Sequence, residues 1–154
     1  MKKTVSLLLI ALVALALFAG CANTTEKKSE YQITVFADAA LETALTEVAK
    51  AYTNSEKNPN ANKEAEVLFN FNVSDKLKTQ LDEGAYCDIF IPADPALLEG
   101  RELAGPAALT ISSGAAEGGE AGAVYYAALL NMSDRQAAAQ AFLDYLKSAA
   151  AKEI

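Results

Sequence analysis

Alternating and helix-spaced apolar residues divide the chain after residue 30 into strands and helices. Residues 31–36, YQITVF, alternate around Ile33 and Val35 and predict a strand. A helix is predicted over 41–52, where one face carries Leu41, Ala44, Leu45, Val48, Ala49 and Tyr52. A second strand is predicted over 67–73, where one face carries Val67, Phe69, Phe71 and Val73.

The middle of the chain repeats this alternation. Ser74 is suited to cap a second helix, which buries Leu77 and Leu81 and ends at Gly84. The apolar stretch CDIFIPAD at 87–94 has the composition of a buried parallel strand. A short helix starting at Pro95 follows.

The order β-α-β-α-β predicts an α/β fold with a parallel-type sheet and helices on both faces. Ligands of such sheets bind at the carboxyl ends of the strands. The turns at 37–40 and 73–74 both follow strands, so we expect them to be neighbours in space. This edge of the sheet is the predicted binding edge.

The last third of the chain is less regular. Residues 104–123 are rich in Gly, Ala and Ser and predict a linker, with room for one short strand at 108–111. VYYAALL, at 124–130, predicts a closing strand. A closing helix is expected over 133–148, with an apolar face made of Ala138, Ala141, Phe142, Tyr145 and Leu146.

The first 20 residues have the pattern of a signal peptide. Lys2 and Lys3 precede a short apolar run, and small residues lead to Cys21. This pattern is typical of a bacterial lipoprotein, cut before Cys21 and anchored to the membrane by lipid on that residue; an ordinary secretory signal is the alternative. Residues 21–30 then form a polar tether, and 31–154 form a single domain outside the cytoplasm.

Charge and composition exclude several function classes. The net charge of −7 becomes −9 once Lys2 and Lys3 leave with the signal, which argues against nucleic acid as a partner. The chain has no histidine and so lacks His-based acid–base catalysis and His metal ligands. Cys87 is expected to be a packed thiol, Asp88 a structural carboxylate and Asp94 a turn residue, so an enzyme is not predicted.

Several motifs together resemble one family. They are Phe-Ala-Asp-Ala-Ala-Leu at 36–41, FNVSDKLKTQLDEGA at 71–85, CDIFIPAD at 87–94 and the closing segment from 126 onward. In order and spacing they resemble the substrate-binding protein of molybdate ABC transporters, a two-lobed extracytoplasmic binding protein. Most of that family's second lobe has no counterpart here. The resemblance therefore implies a single lobe of a periplasmic-binding-protein-like fold.

The resemblance also implies the ligand and its contacts. The ligand would be a molybdate or tungstate oxyanion, with no other cofactor, and the partner an ABC permease. Ser74 falls on the serine that touches the anion, and Ala40 replaces a second serine, leaving only its backbone N–H as a donor. Tyr125 falls on the family's ligand tyrosine in one alignment, while another makes 126–154 the return strand and closing helix.

Asp38 complicates the predicted oxyanion site. Its carboxylate is suited to accept from the N–H of Ala40 or Leu41 as a helix cap, and its charge repels an oxyanion. A single lobe also cannot close over a ligand as two-lobed binders do. We therefore expect weakened or lost binding. Two alternatives are a lipoprotein interaction or scaffold domain and a non-functional relic of an internal deletion.

Overall fold

Five strands form one sheet in the computed structural model, which describes residues 31–56, 58–60, 65–105, 109–112 and 124–148. The strands are β1 (Ile33–Asp38), β2 (Val67–Asn72), β3 (Ile89–Ile91), β4 (Leu109–Ser112) and β5 (Val124–Leu129). The helices are α1 (Glu42–Thr53), α2 (Ser74–Asp82) and α3 (Gln136–Leu146), with 3-10 turns at Ala39–Leu41 and Pro95–Leu98.

The sheet is parallel in its first half and antiparallel in its second. The strand order is β2-β1-β3-β5-β4. β1 lies between β2 and β3 and runs parallel to both, while β5 is antiparallel to β3 and to β4. Two helical connections return the chain to the same end of the sheet, which makes the first three strands parallel. The two closing strands β4 and β5 complete the sheet.

Helices cover both faces, as predicted for an α/β fold. On one face α1 and α3 pack on alternate residues of the central strands around Phe142, which is 0% exposed. On the other face α2 and the turn Pro95–Leu98 pack around Phe90 and Leu77. β3 supplies both layers and is fully buried, because consecutive strand residues point to opposite faces.

The element boundaries depart from the predictions in a few places. Val73 was expected on the buried face of β2 but is 54% exposed, because the strand ends at Asn72 and Val73 is the N-cap of α2. Ala44 was expected in the apolar stripe of α1 and is exposed. Gly84 ends α2 with a φ of 92°, a conformation that favours glycine, as predicted.

The strand expected at 108–111 is found one residue later, as β4, within the predicted linker. The predictions for the signal peptide, the lipid on Cys21 and the tether concern 1–30, which lie outside the described residues, as do 106–108 and 113–123. Within the described ranges, no helix is both long enough and apolar enough to cross a bilayer.

Candidate functional site

The carboxyl edge of the parallel strands brings the two predicted turns together. β1 and β2 end level with each other, since Asp38 pairs with Asn72 in the parallel register. The chain then turns into Ala39–Leu41 on one side and into α2 on the other. The end of β3 lies beside β1 at the same edge, followed by Ala93. The prediction that the turns at 37–40 and 73–74 are neighbours is confirmed.

Asp38 is at the centre of this edge. It is the N-cap of the turn Ala39–Leu41, and its Oδ1 accepts a hydrogen bond of 3.1 Å from the backbone N–H of Ala40. Its Oδ2 accepts a hydrogen bond of 2.5 Å from the hydroxyl of Ser74. The predicted capping role is confirmed, but the carboxylate also takes the hydroxyl donor of the second turn.

Ser74 links three segments of the edge. It is 8% exposed and is the first residue of α2. Its hydroxyl donates to Asp38 and accepts a hydrogen bond of 3.0 Å from the backbone N–H of Ala93. The predicted capping role of Ser74 is wrong: the cap position is Val73, one residue earlier, and no side chain caps this helix. The hydroxyl instead joins Asp38 at the end of β1 to Ala93, which follows β3.

Tyr125 approaches the same edge from the antiparallel side. It is near the start of β5, which runs antiparallel to β3, so it lies toward the carboxyl end of β3. The residue is 5% exposed. Burial raises the pKa of Tyr125, and the charge of Asp38 raises it further. The structure thus places Ala40, Ser74 and Tyr125 around the carboxylate of Asp38.

The hydrogen-bond donors at this edge are occupied by a carboxylate of the chain itself. Donors at helix starts favour negative charge. Here two of them, the Ala40 N–H and the Ser74 hydroxyl, are used by Asp38. Among the described residues, none of the ion pairs includes Asp38. An added oxyanion would have to displace the carboxylate from these donors.

The sequence indicated Asp38 as a cap and Ser74 as a donor, but not the bond between them. The two residues are 36 positions apart, and their contact depends on the strand order and the level ends of β1 and β2. The contribution of Ala93 was missed entirely, because it donates through its backbone, whichever side chain it carries. The sequence did contain one indication of this contact. The turns after β1, β2 and β3 all follow parallel strands and therefore lie at the same edge of the sheet.

The other residues considered for chemistry have structural roles. Asp88 is 0% exposed and accepts hydrogen bonds from Thr34 N, Ser133 and Tyr86, as expected of a structural carboxylate. Asp94 caps the turn Pro95–Leu98 by accepting from Ala96 N at 2.8 Å. Both predictions are confirmed.

Cys87 is a packed thiol, as predicted. It is 0% exposed, and burial raises the pKa of its thiol to about 12, so the reactive thiolate is suppressed at neutral pH. Within the described residues, no three His, Cys, Asp or Glu side chains are grouped so as to hold a metal ion. An open pocket bordered by 100–102 and 130–132 contains none of the residues of the carboxyl edge.

Comparison with known proteins gives a family and a fold. Residues 33–116, more than half of the chain, match the model of the bacterial extracellular solute-binding protein family. A solved structure described as the substrate binding domain of a putative molybdenum ABC transporter from Clostridium difficile has a similar fold, with a TM-score of 0.62 and 12% sequence identity. The alignment covers 79% of this chain and 94% of that one. No curated protein matches the chain.

Proposed function

Because the chain belongs to the bacterial extracellular solute-binding protein family, we propose that it is an oxyanion-binding component of an ABC uptake system. The ligand class is that of molybdate and tungstate, and the receiving partner is a membrane permease. A lipid on Cys21 would hold the protein at the outer face of the membrane. The molybdenum-transporter description of the similarly folded Clostridium difficile domain supports this ligand class.

Binding of fully deprotonated oxyanions is weakened in this chain. The observation that carries this proposal is the position of the Asp38 carboxylate, which accepts from both Ala40 N and the Ser74 hydroxyl. A dianion gains these donors only by displacing a like charge from them. The alanine at position 40 also lacks a hydroxyl. A hydrogen bond to a charged group contributes about 1.5–3 kcal/mol, so this one difference lowers affinity roughly tenfold to a hundredfold.

Calorimetric titration with molybdate, tungstate and sulfate tests this proposal. The unmodified chain is expected to bind each of them weakly or not at all. The double variant Asp38→Ala, Ala40→Ser frees both donors and adds a hydroxyl, so it should bind molybdate at least tenfold more tightly. Asp94→Ala is the matched control, because it removes a capping aspartate whose side chain accepts from Ala96 N and not from Ala40 N or Ser74. Sub-micromolar binding of molybdate by the unmodified chain would contradict weakened binding.

The internally satisfied edge also favours a second candidate, a lipoprotein interaction or scaffold domain that keeps the fold without a ligand. The donors of the edge are hydrogen-bonded within the chain, so the fold does not need an anion to satisfy them. This candidate predicts that even the double variant binds no oxyanion while remaining folded. A relic of an internal deletion predicts instead that the unmodified chain aggregates when it is expressed.

A further inference from the structure

β2 is the first strand of the sheet and lies at its outer side. It pairs with β1 and with no other strand that the structure describes. All six of its residues are partly exposed, whereas β3 in the middle of the sheet is fully buried. An outer strand presents backbone N–H and C=O groups that can pair with a strand of another chain. The sheet can therefore be extended at β2.

The register of β1 and β2 shows which backbone groups of β2 point outward. Ile33 N donates to Glu66 O at 2.9 Å, and Ile33 is level with Val67. In a parallel pair this directs the N–H and C=O of every second residue, counted from Glu66, toward β1. The N–H and C=O groups of Val67, Phe69 and Phe71 therefore point to the outer side.

We propose that the outer side of β2 binds the same side of β2 in a second copy of this chain, as an antiparallel pair centred on Phe69. A two-fold axis at Phe69 sets this residue opposite its own copy and sets Val67 opposite the partner's Phe71. All of these residues have outward N–H and C=O groups. In this register every outward donor of β2 thus meets an acceptor, which is the pattern of an antiparallel ladder.

The neighbouring register satisfies fewer of these groups. If the pair were centred on Asn70, Val67 would be opposite the partner's Val73. The C=O of Val73 already accepts from the N–H groups of Lys76 and Leu77, and Val73 is the N-cap of α2 rather than a residue of β2. The first register keeps all pairs of outward groups within the strand.

The side chains of β2 suit the first register. Val67, Phe69 and Phe71 pack against the core beneath α1 and α3, and the rings of Phe69 and Phe71 are stacked with their centroids 4.8 Å apart. Opposed residues of an antiparallel pair lie on the same face, so the partner's copies of these side chains continue the same apolar row. Cross-strand pairs of aromatic and β-branched side chains stabilise a sheet.

The lack of charge in β2 favours a second copy as the partner. Outer strands are usually protected from pairing by charged side chains or by proline. The segment VLFNFNV at 67–73 contains neither. Two copies with the same net negative charge can therefore pair along it without like charges opposite each other. Glu66, which precedes the strand, falls opposite the partner's Asn72.

The size of the contact makes the dimer weak and reversible. Stable complexes bury roughly 1,200–2,000 Å² of surface. A single pair of six-residue strands supplies only part of such an area. Association is therefore expected at high protein concentration.

Analytical ultracentrifugation of the purified chain over a range of concentrations measures this association, and a monomer–dimer equilibrium is expected. Val67→Pro removes an outward N–H at the first residue of β2, a position where a strand tolerates proline. By symmetry it deletes two hydrogen bonds between the copies, so the Kd should rise about tenfold or more. Val67→Thr keeps the N–H and the branched shape, and as the matched control it should change the Kd by less than about threefold.

A charge pair tests the register independently. Leu68 is partly exposed, and in the proposed pair the two copies of this residue are diagonal neighbours. Leu68→Lys and Leu68→Glu should each dimerise more weakly than the unmodified chain, because like charges then face each other. An equimolar mixture of the two variants should associate more tightly than either variant alone.

The results decide as follows. A chain that stays monomeric up to about 1 mM overturns the proposal, and so does association that continues beyond a dimer. A dimer whose Kd is the same in Val67→Pro and Leu68→Lys uses another surface, which also overturns it. If circular dichroism shows that Val67→Pro does not fold, the mixture of Leu68→Lys and Leu68→Glu decides: no gain over the separate variants overturns the antiparallel pair.

Discussion

Two aspartates at opposite edges of the sheet make similar contacts in different surroundings. Asp38 at the carboxyl edge accepts from a backbone N–H and from the hydroxyl of Ser74. Asp88 at the amino edge of β3 accepts from a backbone N–H and from the hydroxyl of Ser133. Each serine also accepts a backbone N–H, so the two arrangements share one hydrogen-bonding pattern.

Burial distinguishes the two arrangements. Asp88 is 0% exposed, and a third donor, Tyr86, contacts it at 2.6 Å. Asp38 is partly exposed, so water has access to it. The fold depends on a buried carboxylate, because its removal would leave the donors at Thr34 N and the Ser133 hydroxyl without this acceptor. A partly exposed carboxylate can lose its hydrogen-bond donors to a ligand at a smaller cost in free energy, because water can hydrogen-bond to it instead.

The largest expected effect is that of Asp88→Ala. This change leaves the buried donors of Thr34 and Ser133 without an acceptor, so the free energy of unfolding should fall by about 3 kcal/mol or more. Urea denaturation followed by circular dichroism measures the loss. Asp94→Ala removes an exposed cap and should lose only about 1 kcal/mol. Equal losses in the two variants would show that the buried contacts of Asp88 do not have the structural role assigned here.

A smaller loss is expected for Asp38→Ala. The variant loses an N-cap at a partly exposed turn, which costs about 1 kcal/mol, because water replaces the carboxylate at Ala40 N and Ser74. The same urea measurement on Ser74→Ala and on the double variant gives the coupling between the two side chains, expected to be about 1 kcal/mol. A loss as large as that of Asp88→Ala would contradict the difference between the two edges.

The parallel half of the fold could be predicted from sequence because its signals are local. The alternation in 31–36 and 67–73, the helix-spaced residues of α1 and the fully apolar β3 each indicate one element. Their order then indicates parallel strands with helices on both faces. The sequence allowed for the partner strand β4 but did not predict it firmly, because 104–123 have no sustained hydrophobic period that would mark a strand.

The location of the candidate site could be predicted from the sequence, but the hydrogen bonds within it could not. Strand ends and small turns located the carboxyl edge, and Asp38 was identified as a cap. The short bond to Ser74 could not be predicted, since it depends on β1 and β2 ending level. The contacts of the Ser74 side chain could not be predicted either. The helix starts at Ser74, so the N-cap is Val73, and the Ser74 hydroxyl contacts Asp38 and Ala93 instead of capping the helix.

The last expected effect is confined to alkaline pH and concerns the tyrosine of the amino edge. Burial raises the pKa of Tyr86 from 10.0 to about 12, and hydrogen bonds to the carboxylates of Asp134 and Asp88 also favour the neutral phenol. The folded chain thus keeps this proton to a higher pH than the unfolded chain does. The resulting stability is fully present below about pH 10 and is lost as the pH rises toward 12.

Urea midpoints between pH 9 and 12 for the unmodified chain and for Tyr86→Phe measure this contribution. The unmodified chain should lose stability more steeply over that range, because the variant lacks the titrating group. Tyr125→Phe is the matched comparison at the carboxyl edge, where burial and Asp38 raise the pKa of the tyrosine. If the slope is unchanged in Tyr86→Phe, the phenol does not titrate as the amino-edge contacts imply. If the slope changes more in Tyr125→Phe than in Tyr86→Phe, Tyr125 at the carboxyl edge contributes more of the stability that is lost at alkaline pH.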